Sequence, residues 1–153
     1  MIRLAEEWKD YSVIATGDGY KLERWGEVVL LRPDPQVIWN AQRDLFAYPG
    51  LSAVYRRSEK GGGAWEYKKS VPEKWTIGYR DLRFLIKPMG LKHTGLFPEQ
   101  AVNWDAVSAL IRKANRPVKV LNLFAYTGGA TVALCKAGAE VTHVDAAKGM
   151  VER

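Results

Sequence analysis

The spacing of apolar and polar positions changes character near residue 90. Before that point the apolar positions fall in short runs cut by glycine and proline. Tyr11 to Thr16, Tyr20 to Trp25 and Val28 to Leu31 are separated by Gly17-Asp18-Gly19 and Gly26-Glu27, and Arg32-Pro33-Asp34-Pro35 stops the third run. This is the pattern of strands joined by tight turns. Ala53 to Arg57 and Trp65 to Lys68 flank Gly61-Gly62-Gly63 and read as two more strands, and Arg83 to Pro88 as another, ended by Gly90. Beyond it, Trp104, Val107, Leu110 and Ile111 recur at helical spacing and predict an amphipathic helix over 103–115. Val118 to Leu123 is mostly apolar, as expected of a parallel strand covered on both faces. Thr127-Gly128-Gly129 supplies a tight turn where backbone could approach a ligand. Ala130 to Ala137 is a short helix with Gly138 after its last turn, and Glu140 to Val144 is a strand with Asp145 at its tip. A strand, a helix and a second parallel strand require a right-handed crossover. The predicted class is α/β: a small β-rich domain over 1–90, then the start of a Rossmann-like domain over 91–153.

Open α/β sheets bind ligands at the carboxyl ends of their strands, over a helix N-terminus. A carboxylate at the tip of the second strand can accept hydrogen bonds from ribose hydroxyls, so Asp145 suits a nucleoside-bearing ligand. Three classes are open. A mononucleotide phosphate loop places Lys-Ser/Thr after its glycines, and Ala130-Thr131 has no lysine. A dinucleotide fingerprint has glycine at its first, third and sixth positions, whereas 124–129 has glycines only at its end. An S-adenosylmethionine site tolerates the looser pattern, because it has no pyrophosphate to cradle.

Asn122-Leu-Phe-Ala-Tyr-Thr-Gly-Gly129 resembles the cofactor motif Asn-x-Phe-x-Tyr-Thr-Gly of one family. These are the class I S-adenosylmethionine-dependent methyltransferases of large-subunit ribosomal RNA, including cytosine-C5 and guanine enzymes. Lys92-His-Thr-Gly-Leu-Phe-Pro-Glu-Gln100 is similar to that family's Lys-Thr-Gly-x-Phe-x-Asp-Gln-Arg segment. It departs at Pro98-Glu99, where Leu-Asp is usual, and at Ala101, where Arg is usual. The stretch from Leu22 to Trp39 also looks like a short-headed branch of the family. The resemblance implies S-adenosylmethionine as cofactor and RNA as partner. It implies that Phe124, Ala125, Tyr126, Thr127, Gly128 and Gly129 line the cofactor, that Asp145 holds its ribose, and that Lys92, Thr94, Gly95, Phe97 and Gln100 close the site. No catalytic residue and no metal ligand is assigned. The family's sheet has several more strands than the two read here before Arg153, so the expectation is a fragment that does not transfer methyl groups by itself. Alternatives are a non-catalytic RNA-binding protein with a vestigial Rossmann unit and, less well matched, a nicotinamide-dependent oxidoreductase.

Charge adds to this picture. The formal charge is +6 with a pI near 9.5, which favours an anionic partner. Between residues 56 and 87, Arg56, Arg57, Lys60, Lys68, Lys69, Lys74, Arg80, Arg83 and Lys87 outnumber Glu59, Glu66, Glu73 and Asp81. Trp65, Tyr67, Trp75 and Tyr79 are interleaved with them. Each aromatic taken singly is expected to pack inward, while the patch as a whole is expected to meet RNA. The single cysteine, Cys135, rules out a disulfide framework and is expected to be a packed core thiol. His143 alternates with Val141 and Val144 and reads as structural; His93, beside the Thr-Gly turn, reads either as a cofactor or RNA contact or as a loop residue. Met1 is followed by Glu6-Glu7-Trp8 rather than an apolar leader, and no run approaches the roughly 20 apolar residues of a membrane helix. A cytoplasmic protein without a membrane span is expected. An open two-strand sheet has an unpaired edge, so either self-association into a homo-oligomer or partial disorder near the C-terminus is expected as well.

Overall fold

A computed structural model describes residues 2–59, 61–90 and 92–151. Met1, Lys60 of the basic run and Arg153 lie outside the described residues. The first unit is a five-stranded sheet in the order β1 (Tyr11–Gly17), β2 (Tyr20–Trp25), β3 (Val28–Pro33), β4 (Ala53–Arg57), β5 (Gly63–Tyr67). Neighbours are antiparallel except β3 and β4, which run parallel. Gly17 pairs with Tyr20 across a turn in which both Asp18 (φ 51°) and Gly19 (φ 78°) are left-handed. That is the backbone twist a two-residue hairpin needs. A second hairpin, β6 (Trp75–Tyr79) and β7 (Leu82–Ile86), follows.

The strand pleat sorts the core onto two faces. Leu22, Val29, Leu31 and Val54 pack with Leu45 and Leu51 on one side. Trp25, Val28, Leu30 and Ala53 face the other, where they meet Ile77, Tyr79, Phe84 and Ile86 of the hairpin. This second cluster continues past residue 90 into Leu96, Ala101, Trp104 and Ala133, so the β-rich unit and the following unit share one core. A turn of 3-10 helix (Pro98–Gln100) leads into α1 (Ala101–Ala114). Then come β8 (Lys119–Leu123), α2 (Gly129–Lys136) and β9 (Glu140–Val144), with β8 and β9 paired in parallel, and a short α3 (Lys148–Val151).

The structure corrects two expectations, for β8 and for Cys135, and adds detail to the basic run. The basic and aromatic run contained an unforeseen strand, β6, and it is the partner of β7. β8 is not covered on both faces: α2 sits on the side of Asn122 and His143, while Leu121 on the other side is 62% exposed. Cys135 is exposed, because Ala133 and Leu134 take the buried positions of α2. The basic run is partly neutralised, by Arg56–Glu66, Lys68–Glu66, Lys87–Glu73 and Arg80–Asp105 ion pairs. Of its aromatics, Trp65, Trp75 and Tyr79 pack inward as expected, and Tyr67 is 54% exposed. No helix among the described residues is long and apolar enough to cross a membrane.

Candidate functional site

β8 delivers the chain into a loop with an unusual backbone. Phe124 (φ 54°), Tyr126 (φ 53°) and Gly128 (φ 89°) all occupy the left-handed region, alternating with Ala125 and Thr127. For a residue with a Cβ this conformation costs roughly 1–2 kcal/mol, and strain of this kind persists only where the surroundings over-determine it. Here they do. The Ala125 amide donates to the Val144 carbonyl (3.0 Å), and the Gly128 amide donates to the Ala125 carbonyl (3.0 Å). The Tyr126 amide donates to Asp145 Oδ2 (2.8 Å), and the Thr127 hydroxyl donates to the Gly95 carbonyl (2.5 Å).

Asp145 therefore works on the protein itself. Its Oδ1 accepts from the Ala147 amide at 2.9 Å while Oδ2 holds Tyr126. These two amides keep its carboxyl below the usual carboxylate range. A carboxylate offers about four lone-pair sites, so each oxygen keeps acceptor capacity for a ligand hydroxyl. The glycines also divide their work differently from the sequence reading. Gly128 supplies the left-handed turn into α2. Gly129 makes room for a neighbour, since a Cβ there would lie 3.0 Å from Trp104 Cζ2.

The loop forms one wall of a pocket of about 330 Å³. Phe124, Ala125, Tyr126, Thr127 and Gly129 line it from β8 and its loop; Phe97 and Gln100 line it from the upstream segment. The two motifs thus meet in space, with the Phe97 and Tyr126 rings 4.9 Å apart. Gly128 is buried beneath the turn, and Asp145 reaches the pocket through its bond to Tyr126. Gly95 takes part through its carbonyl only. Thr94 is 1% exposed and its hydroxyl has no hydrogen-bond partner among the described residues. Lys92 does not line this pocket; its ammonium donates to the Pro33 carbonyl (3.2 Å) and faces a separate, larger cleft.

Leu96, Trp104, Asn122, Leu123 and Ala130 also line the pocket and were not assigned from sequence. Asn122 stood inside the quoted motif, and its amide donates to Thr131 Oγ1 (2.9 Å). That hydroxyl lies 2.9 Å from His143 Nδ1, which gives His143 the structural role expected of it. His93 packs at the edge of Phe97 and Tyr126, with ring centroids 6.0 and 6.4 Å away. Burial, then Lys92 and Arg32, push its imidazole below the usual value. Among the described residues no group of His, Cys, Asp and Glu is placed to hold a metal ion.

The pocket fits S-adenosylmethionine in kind. It offers aromatic and aliphatic walls, a few convergent polar groups, and a carboxylate with spare lone pairs beside the loop. Comparison with known proteins agrees. No family model matches the chain. A solved S-adenosylmethionine-dependent methyltransferase from Agrobacterium tumefaciens superposes with a TM-score of 0.86 at 36% identity, over 95% of this chain and 46% of its own. A Streptococcus mutans protein assigned to the same activity (TM-score 0.64, 23% identity, 95% of this chain and 41% of its own) shares the fold. So does a methyltransferase-like protein crystallised with S-adenosylhomocysteine (TM-score 0.61, 22% identity, 95% of this chain and 40% of its own). In fold and in this loop the chain is similar to S-adenosylmethionine-dependent methyltransferases. Among curated proteins it is similar to the ribosomal RNA large subunit methyltransferase K/L of Allochromatium vinosum, 35% identical over 98 residues. That match covers 63% of this chain and 13% of the relative, and the chain spans about half the length of the solved Agrobacterium protein.

Proposed function

We propose that this chain is the cofactor-binding part of an S-adenosylmethionine-dependent methyltransferase acting on a base of large-subunit ribosomal RNA. One observation carries the reading: two motifs far apart in sequence converge on a single pocket, joined by the Thr127–Gly95 hydrogen bond and the Phe97–Tyr126 contact. The RNA substrate is supported by the likeness to the Allochromatium enzyme and by the basic charge of the chain.

The cofactor, when bound, supplies an activated methyl group. The chain's own residues do the binding and orienting. Asp145 fixes the loop and keeps lone pairs for the ribose; Phe97 and Tyr126 provide aromatic surface; Gln100 and Asn122 provide polar contacts. The β-rich region 1–90 is the RNA-facing domain, and 91–153 begins the methyltransferase domain. Arg57, Lys69, Lys74 and Arg83 are exposed and make no ion pair among the described residues, and Tyr67 offers an exposed ring in the same region. Such a surface suits phosphates and stacked bases. The protein acts in the cytoplasm. The bare face at Leu121, Leu123 and Val144 supports self-association.

Calorimetric titration tests the cofactor assignment. S-adenosylhomocysteine binds saturably and NAD does not. Binding of NAD, or of neither, overturns the reading.

A further inference from the structure

Beside the proposed cofactor pocket lies a larger cleft of about 1100 Å³. Its walls come from the N-terminal segment, from β3 with the turn after it, and from the loop at 92–99. Long-range hydrogen bonds tie these walls together. The Trp8 indole donates to the Pro98 carbonyl (2.9 Å), Arg32 Nη1 donates to the Lys92 carbonyl (3.0 Å), and Lys92 Nζ donates to the Pro33 carbonyl (3.2 Å). Behind them Glu23, fully buried, accepts from the Tyr11 hydroxyl (2.7 Å) and from two nitrogens of Arg32 (2.6 and 2.8 Å). The cleft is held open by this frame and does not depend on a ligand to form it.

Its charges sort into used and unused. Arg32 is committed to Glu23 and to a carbonyl; Lys21 is paired with Asp34 at 3.3 Å. Glu6 and Glu99 are exposed to solvent. Lys92 is the cation of the cleft with no carboxylate within ion-pair distance among the described residues. Burial pushes its ammonium down and Asp34 opposes this, while Arg57, Arg32 and Lys21 push it further down. Phe97 belongs to both cavities, so a ring stacked on it from the cleft would lie next to the cofactor pocket.

We propose that this cleft takes a single-stranded segment of the RNA substrate, with Lys92 against a backbone phosphate and Phe97 beneath a base at the entrance to the cofactor pocket. The unpaired base of a single strand can stack where a base inside a duplex cannot. The identity of the polymer rests on the methyltransferase reading above; the cleft, its cation and its shared ring do not.

The test is binding of a mixed-sequence single-stranded oligoribonucleotide to the full chain, with the duplex of the same sequence as comparison, across a salt series. The single strand binds more tightly than the duplex. Lys92→Glu and Lys92→Met weaken it and lower the salt slope by about one, Phe97→Ala weakens it about tenfold, and Lys113→Glu on the exposed face of α1 leaves it as it was. Equal binding of duplex and single strand, or an equal effect of Lys113→Glu, overturns the proposal. So does binding indifferent to both Lys92 variants. Titration of the same preparation with S-adenosylhomocysteine separates the two readings. Lys92-dependent RNA binding without cofactor binding keeps the cleft and removes the cofactor assignment, and the reverse pattern keeps the cofactor assignment and removes the cleft.

Discussion

Asp145 bonds two backbone amides, and one belongs to Tyr126, a residue in a conformation that side chains rarely adopt. Replacing it by alanine removes the anchor of the strained loop together with the acceptor proposed for a ribose. Asp145→Ala is expected to weaken S-adenosylhomocysteine about tenfold or more, with Asp145→Asn in between because it keeps one oxygen acceptor. The pH dependence has a definite sign. The folded-state carboxyl is depressed by the Ala147 and Tyr126 amides, so its contribution to stability is present above the ordinary carboxyl value and is lost as pH falls through the folded one. Melting temperatures measured against pH should show that acid loss in the parent and less of it in Asp145→Ala; identical acid limbs would contradict the assignment. At this scale the carboxylate at the strand tip and the glycine turn were legible, since both follow from local geometry. The reason for Gly129 was not. It depends on Trp104, which is distant along the chain and carried only a helical period in the sequence.

Trp104 is also where the elements meet. It is buried on α1, against Trp8, Tyr79 and Phe84 on one side and the start of α2 on the other. Trp104→Ala is expected to cost about 3–5 kcal/mol. Because the core is shared, denaturant should unfold the β-rich unit and the cofactor unit in one transition of lowered midpoint. Separate transitions would mean that the two units are independent. Most strands were readable from alternation and turn glycines. The strand over Trp75–Tyr79 was missed because its hairpin turns at Arg80-Asp81, which carries no glycine or asparagine signal. Arg80 holds its positive φ of 51° with help from Asp105, a residue of α1, and sequence does not announce that contact. β8 misled in the opposite direction. Its apolar run resembles a strand covered on both faces, but the described sheet has two strands and helices pack on one side, leaving Leu121 and Leu123 bare.

Across the whole molecule, the proposed cofactor pocket and the larger cleft share Phe97, in a frame that joins the N-terminal segment to the loop before α1. The class of fold and the general place of the pocket were legible because the Asn122–Gly129 motif fixes a loop conformation as well as a list of residues. The direction of Lys92, away from that pocket and into the cleft, was not, since it depends on Pro33 and Arg32 reaching it from another strand. Hydrogen–deuterium exchange of the chain, with and without S-adenosylhomocysteine, tests the central claim most directly. Binding should slow exchange over 124–131, over 96–100 and at the amides held by Asp145, with the far sheet edge at β5 unchanged. Protection confined to other segments, or none at saturating ligand, would contradict the assignment of this loop as the cofactor site.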